Sequence, residues 1–195
     1  MKILVFGANG PTGREVVAQA RGQGDEVTEF VRAVDGDATD PAAVARAVPG
    51  HEAVVSVLGR RRSFRSAHLM ERAMRAILPA MQREGVRRLV VVSAFGVGET
   101  WRDAPLVLRL MHRTVLRDIF ADKKVAQDYV QATPLDWTFV YPVALTDGPR
   151  TGRYRVGERL ELRGIPTISR ADVADFIVRE LHAPQYVRRT AIVSS

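Results

Sequence analysis

The chain has 195 residues, 46% of them hydrophobic, a length and composition that favour one domain with a well-buried core. It contains no cysteine, which excludes disulfides, thiolate catalysis and cysteine metal sites and is typical of a reducing compartment. No apolar run is long enough to span a membrane, and Met1 leads directly into a strand-like run. We therefore expect a cytoplasmic protein with no membrane partner, and we predict no metal site.

The formal net charge of +7 is of the sign that attracts nucleic acid. The basic residues are nearly all arginine and are scattered among acidic ones, without a motif typical of nucleic-acid-binding modules. Three arginines at residues 60–62 form the one dense run, which is typical of a solvated loop, with a phosphate site as the alternative. We therefore predict a small-molecule partner and no nucleic acid.

Strand-like and helical runs alternate from the start of the chain. Residues 2–6 and 26–31 are strand-like, and residues 12–23 between them have helical periodicity. This βαβ unit predicts a parallel sheet. Only a few residues then precede residues 34–37, whereas a parallel crossover ordinarily needs a dozen or more. The usual third strand is therefore shortened, lost or held as an extended loop.

The same alternation continues to the end of the chain. Asp40 before Pro41 predicts a helix start, and residues 169–172 resemble a capping box. The other predicted elements are strands at residues 53–58, 89–92, 137–141 and 190–193 and helices at residues 67–84, 105–132 and from the capping box to about 181. Together they predict a single α/β domain over residues 1–195. It is a doubly wound, mainly parallel sheet with helices on both faces, a shortened second crossover after strand 2, and a small substrate-side segment at about 142–170.

A glycine-rich turn directly follows the first strand and opens the first helix. Gly7 lets the chain turn sharply, Gly10 lets the backbone approach a pyrophosphate, and Gly13 lets the helix pack closely on the strand. The pyrophosphate would lie at the helix N-terminus, where unpaired N–H groups and the helix dipole favour an anion. The turn predicts a Rossmann-type nucleotide site, with an ordinary glycine-rich turn as the alternative. Its predicted cofactor-binding residues are Gly7, Asn9, Gly10, Pro11, Thr12, Gly13 and Arg14.

The residue at the end of the second strand distinguishes NAD sites from NADP sites. An acidic residue there binds the ribose 2′-hydroxyl of NAD, whereas a basic residue binds the 2′-phosphate of NADP. This place is taken by Arg32, whose guanidinium can pair with the phosphate and stack on adenine. We therefore predict NADP(H) as the cofactor, with a surface arginine at a strand end as the alternative.

An ordered series of motifs along the chain resembles that of a known family. The motifs are GANGPTG (7–13), FVR (30–32), GDATD (36–40), VVSVLG (54–59), VVSAFG (91–96), LDWTFVYP (135–142) and LTDGPRTGRY (145–154). Over essentially its whole length the chain resembles the NAD(P)H-binding, atypical short-chain dehydrogenase/reductase family. The flavin and biliverdin-IXβ reductases are the best-known relatives in that group.

The resemblance implies how further residues contact the cofactor. Asp37 and Ala38 would line the adenine pocket, and Val57, Leu58 and Gly59 would pass along the ribose. Lys123 falls where family members often carry a polar helix under the site, and it is predicted as a cofactor-binding residue. An exposed helix lysine is the alternative interpretation of this last residue.

The resemblance also implies the surroundings of the nicotinamide. Ser93, after a central strand, would lie near the ring, and Tyr141, Pro142 and Val143 would form the floor. Ser93 is the one well-placed hydroxyl and is the predicted catalytic residue. A plain strand-end hydroxyl bonded to the backbone is the alternative interpretation.

The chain departs from the family pattern at its acid–base residues. The Tyr-x-x-x-Lys pair of the wider superfamily is absent, since Tyr129 is followed four residues later by Thr133. The place of the biliverdin reductase's active-site histidine is held by Ala144, and no histidine falls there. The four histidines are His51, His68, His112 and His182. A bilin activity is therefore not carried over.

A site without a strong general acid suits acceptors that take a hydride with little proton transfer. The sequence therefore predicts an NADPH-dependent oxidoreductase that transfers hydride to a flavin, a quinone or a similar conjugated acceptor with low or broad specificity. The alternative is a non-catalytic NADP(H)-binding protein that reports redox state to a partner. Both a monomer and a homodimer are compatible with the sequence.

Overall fold

The computed structural model describes residues 1–59, 68–97, 117–162 and 164–195, with the side chains of Arg117 and Ile119 excepted. The arginine run at residues 60–62, His112 and the first part of the predicted helical stretch at 105–132 lie outside the described residues. None of the described helices is long and apolar enough to cross a membrane.

Seven of the described strands form one sheet in the order β2-β1-β3-β4-β5-β9-β7, parallel except for β7 at one edge. Strands β6 and β8 form a separate two-stranded parallel ribbon. The strands are β1 Lys2–Phe6, β2 Glu26–Phe30, β3 Ala53–Ser56, β4 Arg88–Val92, β5 Asp136–Pro142, β6 Ala144–Thr146, β7 Arg155–Gly157, β8 Thr167–Ser169 and β9 Arg189–Ser194.

Helices cover both faces of the sheet. Helices α1 and α6 pack together on one face, whereas α3, α4 and α5 pack in sequence on the other. The helices are α1 Pro11–Gly22, α2 Arg32–Asp35, α3 Pro41–Ala47, α4 Leu69–Arg83, α5 Arg117–Gln131 and α6 Arg170–His182. Covered on both sides, β3 and β4 are nearly continuous apolar runs, as parallel strands between two helical layers require. The predicted doubly wound α/β fold is confirmed.

The shortened second crossover is also confirmed. Within residues 31–52, all of which are described, the chain forms the single helical turn α2 and the short helix α3 but no strand. The backbone N–H of Val31 donates to Asp35 Oδ2 at 2.7 Å, which closes this turn immediately after β2. The chain therefore returns from β2 to the other side of β1 without building a third strand beyond β2.

Both helix starts that carry a capping signal are confirmed. The Asp40 carboxylate accepts the Ala42 N–H at 3.0 Å, and the Ser169 hydroxyl accepts the Asp172 N–H at 2.9 Å. Helix α1, in contrast, begins with Pro11 and has no side-chain cap. The N–H groups of Thr12 and Gly13 in its first turn therefore stay available to a ligand.

The segment at about 142–170, which the sequence predicts to lie on the substrate side, is held against α6 by buried carboxylates. Asp172 accepts the backbone N–H groups of Thr151 and Gly152 at 2.7 and 2.8 Å, and Asp175 accepts the Tyr154 hydroxyl at 2.6 Å. Burial raises the pKa of Asp172, but these hydrogen bonds outweigh that effect and hold the pKa below its usual value. The segment between β6 and α6 is thus fixed by charge-assisted hydrogen bonds as well as by the short ribbon.

Candidate functional site

A cleft of about 630 Å³ opens where β1, β3 and β4 end. Ligands of open α/β sheets bind at this edge, outside the carboxyl ends of the strands. The cleft is lined by predicted site residues, namely Gly10, Pro11, Thr12, Arg14, Val57, Leu58, Gly59, Ser93 and Lys123. Residues from four separate parts of the chain thus meet in one place, as the sequence predicts for a nucleotide site.

The glycine-rich turn is closed tightly on itself. Gly7 has a positive φ of 84°, and a Cβ atom on it would lie 2.8 Å from the Val57 carbonyl oxygen. A Cβ on Gly13 would lie 2.2 Å from the Gly7 carbonyl oxygen, so Gly13 packs on the turn itself, whereas the fingerprint predicts packing on the strand. The Gly10 N–H donates to the Gly7 carbonyl at 3.0 Å. The turn therefore tolerates no side chain at its two ends.

The start of α1 fits a diphosphate group. The first N–H groups of a helix have no intrahelical acceptor, and here no side chain caps them and no acidic residue lies in the first turn. Arg14 is exposed at the rim, and no hydrogen bond or ion pair joins its guanidinium to a described residue. Asn9 is exposed at the tip of the turn. Backbone donors, helix dipole and a free cation thus all favour an anion here.

Ser93 lies immediately after β4 and is only 6% exposed. Its backbone N–H donates to the Val140 carbonyl at 2.9 Å, which extends the pairing of β4 with β5. Its buried hydroxyl, however, has no hydrogen-bond partner among the described residues. A buried hydroxyl without a partner is costly, so this group is free to bind a ligand in the cleft, although its catalytic role stays a prediction.

Lys123 projects from α5 into the same cleft. No hydrogen bond or ion pair joins its ammonium group to a described residue. Burial lowers the pKa of Lys123 to about 8, against the opposing effect of the nearby Asp122 carboxylate. Its neighbour Lys124 pairs instead with Asp128 on the exposed side of the helix, with an Nζ–Oδ1 distance of 2.5 Å. The interpretation of Lys123 as an exposed helix lysine is therefore wrong.

The position of Lys123 is set by the residue before it. Asp122 is buried and accepts the backbone N–H groups of Met70 and Glu71 at 3.1 and 2.9 Å, so it caps α4 from α5. His68, Glu71 and Asp122 offer possible metal-ligand atoms within 4.8 Å of one another. Both carboxylate oxygens of Asp122, however, already accept the hydrogen bonds of this cap. The cap fixes α5 against α4 beside the cleft.

We expect Lys123→Met to stabilise the fold at pH 7 by on the order of 1–3 kcal/mol, because it removes a charge that burial disfavours. Below pH 8 Lys123 is charged in both the folded and the unfolded state, so its buried charge destabilises the wild-type fold by the full amount. Between about pH 8 and the ordinary pKa of 10.5 the unfolded state binds more protons than the folded state, so wild-type stability rises with pH. The difference in stability between Lys123→Met and the wild type therefore narrows. Urea unfolding at pH 7 and 9.5 measures both effects.

Lys124→Met is the matched control for that experiment. It removes an exposed lysine from the adjacent position and should change stability by less than about 0.5 kcal/mol at either pH. Equal or lower stability of Lys123→Met at pH 7 would contradict the burial of its charge.

Arg32 and Asp37 lie together beyond the end of β2, outside the cleft lining. The Arg32 guanidinium, 84% exposed, pairs with Asp37 Oδ2 at 2.7 Å. The other oxygen of Asp37 accepts the Thr39 N–H at 2.9 Å, and this bond is the main reason why the pKa of Asp37 is lowered. Ala38 is buried beside them. Arg32, which is predicted to bind the 2′-phosphate, thus lies beside Asp37 and Ala38, which are predicted to line the adenine pocket. These roles stay predictions.

The three residues predicted as the nicotinamide floor do not line the cleft. The Tyr141 side chain is buried, and its hydroxyl donates to Gln127 Oε1 of α5 at 2.5 Å. Burial raises the pKa of this phenol. Pro142 and Val143 continue the strand pairing through their backbone groups. A contact between these residues and a nicotinamide ring stays a prediction.

The cleft also contains residues that sequence reasoning missed. They are Val92, Leu145, Asp147 and Arg170. Three of them belong to the substrate-side segment, and Arg170 Nη1 pairs with Asp147 Oδ1 at 2.5 Å. Val92, Leu145 and Asp147 fall within the motifs at residues 91–96 and 145–154. The sequence signal at Arg170 is that it begins the helix that Ser169 caps.

Solved structures of other proteins share the whole architecture. A protein of Burkholderia pseudomallei described as exported is 29% identical, with a TM-score of 0.84 and 100% of both chains covered. The anaerobilin reductase ChuY of Escherichia coli O157:H7 is 23% identical, with a TM-score of 0.82, 99% of this chain and 96% of that chain covered. A Streptococcus pneumoniae protein described as an NADH-flavin reductase is 24% identical, with a TM-score of 0.81 and 100% and 99% covered.

A sequence profile described as NAD(P)H-binding matches residues 31–184. The match begins after the glycine-rich turn, so the turn and the profile point to the same ligand from different residues. It spans β3 and β4, two of the three strands that end at the cleft, as well as Lys123 and the substrate-side segment. The chain therefore belongs to the NAD(P)H-binding family.

Proposed function

We propose that the protein is an NADPH-dependent oxidoreductase that transfers hydride to a conjugated acceptor such as a flavin or a quinone. The observation that carries this proposal is the meeting of three groups in one cleft. They are the Ser93 hydroxyl and the Lys123 ammonium, neither of which has a partner among the described residues, and the N-terminus of α1, which has no side-chain cap. Membership of the NAD(P)H-binding family supports the cofactor, and the reductase names of two neighbours of the same fold support the reaction class.

The residues present fit this cofactor. The free N–H groups of Thr12 and Gly13 and the guanidinium of Arg14 would hold the diphosphate. Arg32 would exchange part of its contact with Asp37 for the 2′-phosphate, which it can bind with two parallel hydrogen bonds. When bound, NADPH supplies the hydride.

Ser93 and Lys123 would act on the acceptor. Hydride addition to a neutral conjugated acceptor leaves an anion, and a preorganised cation in a partly desolvated cleft stabilises that charge. With a pKa near 8, the Lys123 ammonium can also give its proton to the reduced acceptor at neutral pH. The Ser93 hydroxyl would orient the acceptor by a hydrogen bond.

One observation favours the second candidate function, a non-catalytic NADP(H)-binding sensor. The described lining of the cleft contains no tyrosine and no histidine, the residues that most often supply a strong general acid. A sensor would use the same cofactor residues but would not need Ser93 or a charged Lys123.

The first experiment measures the cofactor preference by calorimetric titration with NADPH and NADH. We expect NADPH to bind at least about tenfold more tightly, and Arg32→Ala to remove that preference by deleting the phosphate partner. Arg83→Ala is the matched control, because this exposed arginine ends α4 at the opposite edge of the sheet. A preference for NADH, or binding of neither nucleotide, would overturn the proposal.

Steady-state reduction of flavin mononucleotide and of 1,2-naphthoquinone then separates the enzyme from the sensor. A reductase should lose roughly tenfold or more of its kcat in Ser93→Ala while NADPH affinity stays unchanged. Tight NADPH binding without turnover of either acceptor would favour the sensor.

A further inference from the structure

The wall of the cleft formed by the substrate-side segment combines an apolar surface with a cation. Leu145 is a partly exposed large apolar residue of β6, and Arg170 begins α6 directly after β8. Because β6 and β8 pair in parallel, the ribbon carries the side chains of Leu145, Asp147 and Arg170 into the same cleft. Such a surface matches a flat conjugated molecule that carries a negatively charged group.

The charges of the cleft are unbalanced toward positive. Its described lining contains three cations, Arg14, Lys123 and Arg170, and a single carboxylate, Asp147. The diphosphate requirement is met at the start of α1 by free N–H groups and by Arg14, which has no partner among the described residues. A second cation on the opposite segment of the chain is therefore not needed for that purpose.

The Arg170–Asp147 pair is asymmetric in burial. The Arg170 side chain is 24% exposed, whereas that of Asp147 is 86% exposed. Exposed carboxylates contribute little to an ion pair, because water solvates them nearly as well as the partner does. The partly desolvated guanidinium, in contrast, gains from any anion that fits the cleft, especially one that accepts two hydrogen bonds. Asp147 is thus a counter-ion that a ligand can displace.

We propose, resting on the reductase function above, that Arg170 binds an anionic group of the acceptor, a phosphate or a carboxylate, and that Asp147 neutralises Arg170 until the acceptor replaces it. Leu145 contacts the conjugated body of the acceptor. The protein therefore discriminates between acceptors by charge and not only by ring shape.

Flavin mononucleotide and riboflavin test this proposal because they share one ring system and differ in the phosphate. Their binding to the NADP⁺-loaded protein is measured by quenching of flavin fluorescence, without turnover. We expect the mononucleotide to bind at least about tenfold more tightly than riboflavin, and Arg170→Ala to abolish that difference without weakening riboflavin. Asp147→Asn should strengthen mononucleotide binding a few-fold, because the competing carboxylate is gone.

The pair 1,2-naphthoquinone-4-sulfonate and 1,2-naphthoquinone extends the test to a second ring system. Arg153→Ala is the control, since this exposed arginine lies on the same segment but outside the cleft lining. Thermal unfolding of each variant shows whether the fold is intact.

The possible failures are distinguishable. Equal affinity for the charged and uncharged member of each pair would overturn the anion site and leave the reductase proposal standing. Weaker calorimetric binding of NADPH to Arg170→Ala, with the acceptor preference kept, would assign Arg170 to the cofactor and overturn the proposal. If none of the four molecules binds while NADPH does, the acceptor class and the anion site both fail.

Discussion

Gly13→Ala should destabilise the fold by about 3 kcal/mol and weaken NADPH binding at least tenfold. The added Cβ would lie 2.2 Å from the Gly7 carbonyl oxygen and 2.8 Å from Ala8, both backbone atoms that cannot move without opening the turn. An opened turn no longer aims the first N–H groups of α1 at one point. Urea unfolding and calorimetric titration with NADPH measure the two effects.

Two other glycines provide the controls. A Cβ added to Gly22, the last residue of the same helix, would meet no atom within 4 Å, so Gly22→Ala should stabilise the helix by roughly 0.5–1 kcal/mol and leave binding unchanged. Gly10→Ala meets only the Gly7 carbonyl at 3.2 Å, and we expect it to fold but to bind NADPH more weakly. Wild-type affinity in both Gly10→Ala and Gly13→Ala would show that the turn does not hold the cofactor.

Arg88→Met should destabilise the protein by about 3–5 kcal/mol, because it leaves the Glu180 carboxylate buried without its cation. Arg88 is 11% exposed and Glu180 is 2% exposed, with an Nη2–Oε1 distance of 3.1 Å. The guanidinium also donates to Thr138 Oγ1 and to the Asp136 carbonyl, each at 2.8 Å. One side chain thus joins β4, β5 and α6, and chemical denaturation measures its loss.

Arg87→Met is the matched control at the adjacent position. Arg87 is 68% exposed and pairs with Asp136 at 3.1 Å, so its removal should lower the stability far less than the removal of Arg88. Glu180→Gln combined with Arg88→Met should recover at least about 1 kcal/mol, since it removes the uncompensated charge. Similar losses for Arg87→Met and Arg88→Met would contradict the importance of burial in this pair.

The parts of the fold that local signals determine could be predicted from the sequence. The caps at Asp40 and Ser169 depend on one side chain and a backbone group two or three residues away. The glycine-rich turn depends on conformations and close contacts that only glycine allows. The short link after β2 follows from chain length alone, whereas the sequence left open whether the third strand is shortened, lost or held as an extended loop. The causes lie mostly within a few consecutive residues, and the exception is the close approach of Val57 to Gly7.

The wall of the cleft that β6 and the start of α6 form could not be predicted in the same way. Asp147 and Arg170 are far apart in sequence, and two strands of three residues each bring them together. The packing of α5 decides that Lys123, and not Lys124, enters the cleft. Asp122 fixes this packing because it caps α4. Acidic residues of a helix ordinarily face solvent. Those of α6 are buried because residues distant in sequence donate hydrogen bonds to their carboxylates.

The shortened crossover has a consequence for the behaviour of the molecule at high concentration. Because no third strand follows, β2 pairs only with β1 among the described strands and ends the sheet. An edge strand with free backbone groups is a template for strand addition from another chain. Here Glu26 and Glu29 place carboxylates along that edge, paired to Lys2 and Arg21 respectively. Charged side chains therefore disfavour strand addition at the open edge. Replacing these carboxylates with apolar residues should make the edge an aggregation site.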